Sequence, residues 1–383
     1  MKPAGRGALP VALASFVALG LPDGMLGVAW PSIRTHFGQP LAGLGLLLVC
    51  GTCGYLAGSA ASGFVADRLG TAAVLAGGFA ASAAATLTYA AAPTWPALMA
   101  ASALLGLGSS SIDAGGNAFV AVHHSVRTVN LLHACYGVGA SVGPAALTAL
   151  LASGMTWRVG YAGVCAVEVT LLAAVVLTWR SWLAGRPAAG SRREPAGRIP
   201  LALVGATLAM FFVYTAIEVG AGQWSYTFLV AGRASAAPAA GLAVSAYWAS
   251  LTLGRFLAAL AGGRLGPLRL LHLSVALTVG ATLLYWWAPA APLAFAALAG
   301  LGLGLAPFFP ALVTLTPRRV GARAVARVVG FQLAAAGAGA SLGPAAMGVV
   351  LQQAGIGLLG PCLAAGAVLL AGIHLATACA ANS

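Results

Sequence analysis

Charge is scarce in this sequence: only 7% of its 383 residues are Asp, Glu, Lys or Arg, and six of them are acidic. Hydrophobic residues reach 60%, while Gly (52) and Pro (20) add many more uncharged positions. A soluble domain has no core large enough to hide that much apolar side chain, so an aqueous globular fold is excluded. Long hydrophilic segments are lacking too. The longest, 184–198, carries Arg186, Arg192, Arg193 and Glu194, and every other stretch between apolar runs is short. Activity is therefore expected within a membrane bundle or at its mouths.

Catalytic signatures are also missing: there is no H-E-x-x-H, no G-x-S-x-G and no acidic pair in a loop. An integral membrane enzyme, such as a lipid-linked glycosyl transferase, needs a nucleophile or metal set gathered in one pocket. Transport is the reading that remains, with no cofactor and no metal. Cys50, Cys53, Cys135, Cys165, Cys362 and Cys379 all lie in apolar runs. The C-x-x-C spacing of Cys50 and Cys53 has no second ligand pair, so these thiols are read as small hydrophobes.

What is present is a series of apolar stretches, each long enough for the roughly 20 residues that cross a bilayer. They fall at 9–31, 41–65, 72–91, 97–122, 130–153, 159–182, 200–229, 238–262, 268–288, 291–316, 326–353 and 356–380. Lys2 and Arg6 before the first run resemble a secretory signal, but the run continues through Pro22, Asp23 and Gly24 to Trp30 without a good cleavage site.

The net charge of +13 invites a nucleic-acid partner until the charges are placed. With the N-terminus inside, cytoplasmic segments hold Lys2, Arg6, Arg68, Arg127, Arg180, Arg186, Arg192, Arg193, Arg198, Arg264, Arg269, Arg318, Arg319, Arg323 and Arg327. Outer loops hold only Arg34, Arg158 and Arg233. That is the positive-inside pattern, so the basicity records orientation in a cell (plasma) membrane with both termini cytoplasmic, and no nucleic acid is expected.

The chain also repeats itself. GASVGPAA at 139–146 returns as GASLGPAA at 339–346, and Ala66-Asp67-Arg68-Leu69-Gly70 is echoed by Gly262-Gly263-Arg264-Leu265-Gly266 at nearly the same offset. A tandem duplication follows, giving an all-α membrane protein of twelve helices in two pseudo-symmetric six-helix halves, 1–183 and 199–383, joined by a cytoplasmic linker at 184–198.

Asp23, Asp113, Glu168, Glu218 and Arg255 lie inside the apolar runs. Each costs about 2.5–3.5 kcal/mol at the bilayer centre on the insertion scale, so the default reading is a substrate or ion pathway. Asp23 lies roughly 21 Å along the first helix at about 1.5 Å per residue, close to the midplane. Pro22 and the flanking glycines are expected to interrupt that helix beside the acid. A carboxyl there can bind a proton while water and a sugar hydroxyl reach it; a helix cap or an ion pair with Arg255 is the alternative.

Asp113 and Asn117, four apart, share a helix face, and between them Gly115 and Gly116 leave room for a ligand or a neighbouring backbone. The alternative is an Asp113 bonded to the serines at 109–111. Glu218 holds in the seventh run a place roughly equivalent to that of Asp23 in the first. Gln223 and Trp224 follow it, an amide beside either an aromatic platform for a sugar's C–H face or an interfacial anchor. Asn130 and His133 lie near the cytoplasmic end of the fifth run, where His133 serves as a proton relay or a loop contact.

The stretch Gly63-Phe64-Val65-Ala66-Asp67-Arg68-Leu69-Gly70 resembles the G-x-x-x-D-R-x-G loop signature of the major facilitator superfamily, with Thr71 and Ala72 where basic residues usually follow. The likeness implies that Gly63, Asp67, Arg68 and Gly70 form a conformational gating loop, and that one half rocks against the other. Asp23-Gly24, Gly27 to Pro31, Asp113 to Asn117, Asn130 to His133, Glu218-Val219-Gly220 with Trp224, and Phe308-Phe309-Pro310 look most like fucose permease-type sugar/cation symporters.

That closer resemblance implies uptake of a sugar-like polar molecule by a monomer, with a proton rather than sodium as the coupling cation. Asp23 and Asp113 would carry coupling, although the family usually has the longer Glu at the second position. Asn117, Asn130, His133, Glu218, Gln223 and Trp224 would meet the substrate. Proton-coupled export of a small organic compound or drug is the alternative, and Glu168, on what the resemblance makes a peripheral helix, is expected to have a structural or lipid-edge role rather than one in coupling.

Overall fold

The computed structural model describes residues 7–182, 201–320 and 324–380, and the linker expected at 184–198 lies outside them. Twelve helices among the described residues are long and apolar enough to cross a membrane. The chain divides into two compact units, Met1–Gly190 and Ser191–Ser383.

The first unit contains α1 (Ala8–His36), α2 (Gly43–Leu69), α3 (Thr71–Ala91), α4 (Trp95–His123), α5 (Val126–Ala152) and α6 (Trp157–Leu177). Its helices pair α1 with α5, α2 with α4, and α3 with both α4 and α6. The second contains α7 (Leu201–Thr227), α8 (Ala237–Trp287), α9 (Ala291–Leu305), α10 (Phe308–Val320), α11 (Val325–Ala354) and α12 (Leu359–Ala380). Here α7 pairs with α11 and α8 with α9. The long α8 supplies two spans, Ala237–Leu260 and Arg264–Trp287, while α9 and α10 together form one, Ala291–Pro317.

Both sequence echoes have a structural cause. Gly70 (φ 85°) turns the chain between α2 and α3, and Gly266 (φ 73°, ψ 159°) makes the corresponding turn inside α8. A side chain is strained at such angles, which accounts for a glycine at each. The GASxGPAA phrases do a second common job. A Cβ on Gly139 would lie 2.0 Å from the Val17 carbonyl oxygen, and one on Gly339 would lie 2.1 Å from that of Phe212. In each unit, therefore, the fifth helix meets the first almost backbone to backbone.

The expected break at Pro22 does not occur. Helix α1 runs without interruption from Ala8 to His36 through both Pro22 and Pro31. The glycines around Pro22 are close-approach points instead: a Cβ on Gly20 would lie 2.1 Å from the Tyr136 carbonyl oxygen, and one on Gly24 2.2 Å from that of Ala140. Packing along α5 supports the helix where the missing donor of proline would otherwise weaken it.

Two of the three arginines assigned to outer loops terminate helices. Arg158 donates to the carbonyls of Ala90 and Ala92, both at 2.8 Å, at the end of α3. Arg233 donates to Trp286 O at 2.7 Å and to Ala288 O at the end of α8. A guanidinium is favourable there because it meets both the orphaned carbonyls and the negative end of the helix dipole. Glu168 is buried rather than at the lipid edge, and accepts from the Ser82 and Thr86 hydroxyls, the latter at 2.5 Å, tying α6 to α3.

Candidate functional site

In the first unit, α1, α2, α4 and α5 bring together most of the polar side chains singled out from the sequence. Asp23 is exposed and accepts a hydrogen bond from the Tyr136 hydroxyl of α5 at 2.8 Å. Half-buried Asp113 accepts one from the Tyr55 hydroxyl of α2, also at 2.8 Å. On its other oxygen it accepts the amide of Asn117 at 2.9 Å, the contact that a four-residue spacing on α4 allows. Two of the three serines offered as alternative partners are engaged within their own helix, Ser110 and Ser111 both donating to Leu107 O. His133 is exposed, stands edge-on to Phe16 with ring centroids 5.6 Å apart, and is near enough to Asp113 to act on its charge. Asn130 is exposed one turn before it.

The room expected beside Gly115 and Gly116 is taken by side chains. A Cβ on Gly115 would meet Leu75 at 2.9 Å, and one on Gly116 would meet the Phe16 ring at 2.7 Å. These glycines let α3 and α1 close on α4, and the polar groups of α4 are presented along a different line of the helix.

The two phenols were not anticipated. Tyr136 sits three residues after His133, so helical spacing could have flagged it, whereas nothing around Tyr55 marks it out from the apolar run that contains it. Both are hydroxyl donors aimed at membrane-embedded carboxylates, which stabilises the charge without neutralising it.

In the second unit, Glu218 of α7 is buried and pairs with Arg255 of α8 at 3.5 Å. Tyr247 donates to the backbone carbonyl of Glu218 at 2.7 Å, and Tyr214, one turn earlier on α7, is within hydrogen-bonding reach of both charged groups. The Tyr214 ring is stacked on Phe308 with centroids 5.8 Å apart. The arginine offered as a partner for Asp23 is thus held by Glu218. Gln223 is buried, and Trp224 is buried completely, its indole N–H donating to Pro344 O at 2.9 Å. Trp224 pins α7 to α11 at the proline of the repeated phrase, so it is neither an open platform nor an interfacial anchor.

At the turn between α2 and α3, Asp67 and Arg68 are exposed, and the Arg68 guanidinium lies 4.0 Å over the Phe64 ring. Gly63 has open space around it.

The sequence profile described as Major Facilitator Superfamily matches residues 12–235, more than half of the chain. The chain belongs to the major facilitator superfamily. Membership makes this superfamily protein a multi-pass membrane transporter of small molecules rather than an enzyme. Solved structures share its fold at low identity. A bacterial homolog of the human lysosomal transporter Spinster, inward-facing and occupied, is 14% identical with a TM-score of 0.77, covering 99% of this chain and 97% of that one. The nucleoside transporter NupG is 16% identical with a TM-score of 0.74 and coverage of 98% of each chain. The peptide transporter POT in complex with sulfate is 13% identical with a TM-score of 0.73 and coverage of 97% and 95%. Among curated proteins, none matches the sequence.

Proposed function

We propose that this transporter takes up a sugar-like polar solute together with a proton by alternating access, in the manner of the fucose permease-type symporters that its motifs resemble. One observation carries the reading: two membrane-embedded carboxylates, Asp23 and Asp113, are each held by a tyrosine hydroxyl from a neighbouring helix. A carboxylate that gains a proton loses its charge yet can keep the phenol as a partner, so protonation changes the electrostatics of the site while leaving its geometry in place. The O–H and N–H donors aimed at these carboxylate oxygens occupy lone pairs that a bound sodium ion would use, which favours the proton. Phenols, an amide and carboxylates along one region of the unit also alternate donors with acceptors, as hydroxyl-rich solutes require.

In this reading Asp23 and Asp113 carry coupling, Asn117, Asn130 and His133 meet the solute, and the turn containing Gly63, Asp67, Arg68 and Gly70 takes part in gating. The protein works as a monomer in the plasma membrane with both termini cytoplasmic. Uptake of a radiolabelled sugar panel into proteoliposomes, under an imposed pH gradient or an imposed sodium gradient, tests it. Accumulation driven by the pH gradient is the expected result. Accumulation driven by sodium alone, or efflux of a hydrophobic compound with no sugar uptake, would overturn it in favour of a sodium symporter or an exporter.

A further inference from the structure

Arg158 does more than end α3. Its Nη1 donates to Ala90 O and its Nη2 to Ala92 O, both at 2.8 Å, and Nη2 also lies 3.0 Å from Nε2 of His36, the last residue of α1. A guanidinium has hydrogens to give and no lone pair with which to receive one, so the imidazole nitrogen is the acceptor. His36 is therefore neutral in this contact, with its proton on Nδ1. One half-buried arginine thus fastens both α1 and α3 to α6. Exposed His36 is the member of the set whose charge changes near neutral pH.

The second unit supplies a contrast. Arg233 ends α8 in the same manner, and its hydrogen bonds go to the carbonyls of Tyr285, Trp286 and Ala288, which do not titrate.

The charges around His36 are of one sign. Arg158 faces it from α6 and Arg34 precedes it on α1, while the residues that join α1 to α2, α3 to α4 and α5 to α6 carry no ionisable side chain. The phenols of Tyr89 and Tyr161 lie deeper, beyond Trp157. Asp23 and Glu168 stand several turns away along α1 and α6, so no carboxylate offsets a charge at this end. The Trp157 ring already has a cation beside it, the Arg158 guanidinium 5.0 Å from its centroid.

We infer that His36 and Arg158 form a pH-sensitive latch on the end of α1. Near neutral pH the imidazole accepts from Arg158 and the latch is closed. Protonation removes the accepting lone pair and sets an imidazolium against a guanidinium at hydrogen-bond distance, so the latch opens as pH falls. Helix α3 stays capped, because its two carbonyls keep their donors. The latch acts on the helix that carries Asp23, and it holds whether or not the transported solute is a sugar.

Hydrogen exchange read by mass spectrometry tests it on the purified full chain in detergent, at about pH 7.5 and about pH 5, on either side of the range in which an imidazole changes charge. With intrinsic chemical exchange corrected for, the amides of 30–37 should open several-fold more often at the acid pH, while those of 284–288, held by Arg233, should not change. His36→Gln presents a side-chain carbonyl that accepts from Arg158 at every pH, and its 30–37 amides should stay slow at both. His36→Lys, charged throughout, should be fast at both. A parent with no acid step at 30–37, an equal step at 284–288, or a step that survives in His36→Gln would overturn the latch. If His36→Lys does not fold, the parent and His36→Gln still decide the question.

Discussion

Gly139 and Gly339 make the same contact in their respective units, each lying against a carbonyl oxygen of the first helix, Val17 in one and Phe212 in the other. At both places an added methyl would fall about 2 Å from that oxygen, a separation no relaxed structure tolerates. The duplicated phrase is therefore a packing element, and its two copies should respond alike to substitution.

Gly139→Ala and Gly339→Ala should each lower the thermal midpoint of the purified protein, by an amount matching the approximately 1–3 kcal/mol of overpacking. Gly337→Ala, two residues away on α11 with open space where its Cβ would go, should be neutral or slightly stabilising, since alanine is the better helix former by about 1 kcal/mol. Fluorescence-detected thermal unfolding in detergent compares the three. Equal loss at Gly337 would show that the effect is general to α11 rather than local to the contact.

Asp23→Asn keeps a hydrogen-bonding group opposite Tyr136 but cannot change charge. Uphill accumulation driven by a pH gradient should be abolished, while counterflow exchange at equal pH persists at a measurable rate. A variant that still concentrates solute like the parent would move coupling to Asp113.

Tyr55→Phe should weaken solute binding only while Asp113 is present. A hydrogen bond to a charged group is worth about 1.5–3 kcal/mol, so a double-mutant cycle with Asp113→Asn should show a coupling of roughly tenfold or more in affinity. Additive losses across the cycle would mean that the 2.8 Å contact has no role in binding.

Glu168→Ala gives the opposite pattern. It removes the acceptor of the Ser82 hydroxyl at the buried α3–α6 contact, a cost of about 1–3 kcal/mol, while the Thr86 hydroxyl keeps the Ser82 and Ala83 carbonyls within reach. Thermal stability should fall while uptake per folded molecule stays at the parental level; a selective loss of proton coupling would instead assign Glu168 to the pathway.

The charge count predicts that both termini are cytoplasmic. A tag added after Ser383 should resist a membrane-impermeant label in intact cells and react after permeabilisation. Labelling from outside would reverse the orientation assigned from the arginines.

The twelve spans were legible from the order of residues alone, because hydropathy is a local sum over about 20 residues and needs no knowledge of neighbours. So were the repeat and the identity of the acids that lie in the membrane. What those acids touch was not. Tyr55 reaches Asp113 across 58 residues of chain, and Tyr136 reaches Asp23 across 113, and such partners are chosen by helix packing rather than by spacing along one helix. The same holds for Arg255, an intramembrane charge from the start whose pairing with Glu218 needed α7 laid against α8. Pro22 shows the limit most sharply. Its chemistry argues for a break, yet α1 continues through it once α5 is pressed against Gly20 and Gly24, because packing along a whole helix outweighs one missing backbone hydrogen bond.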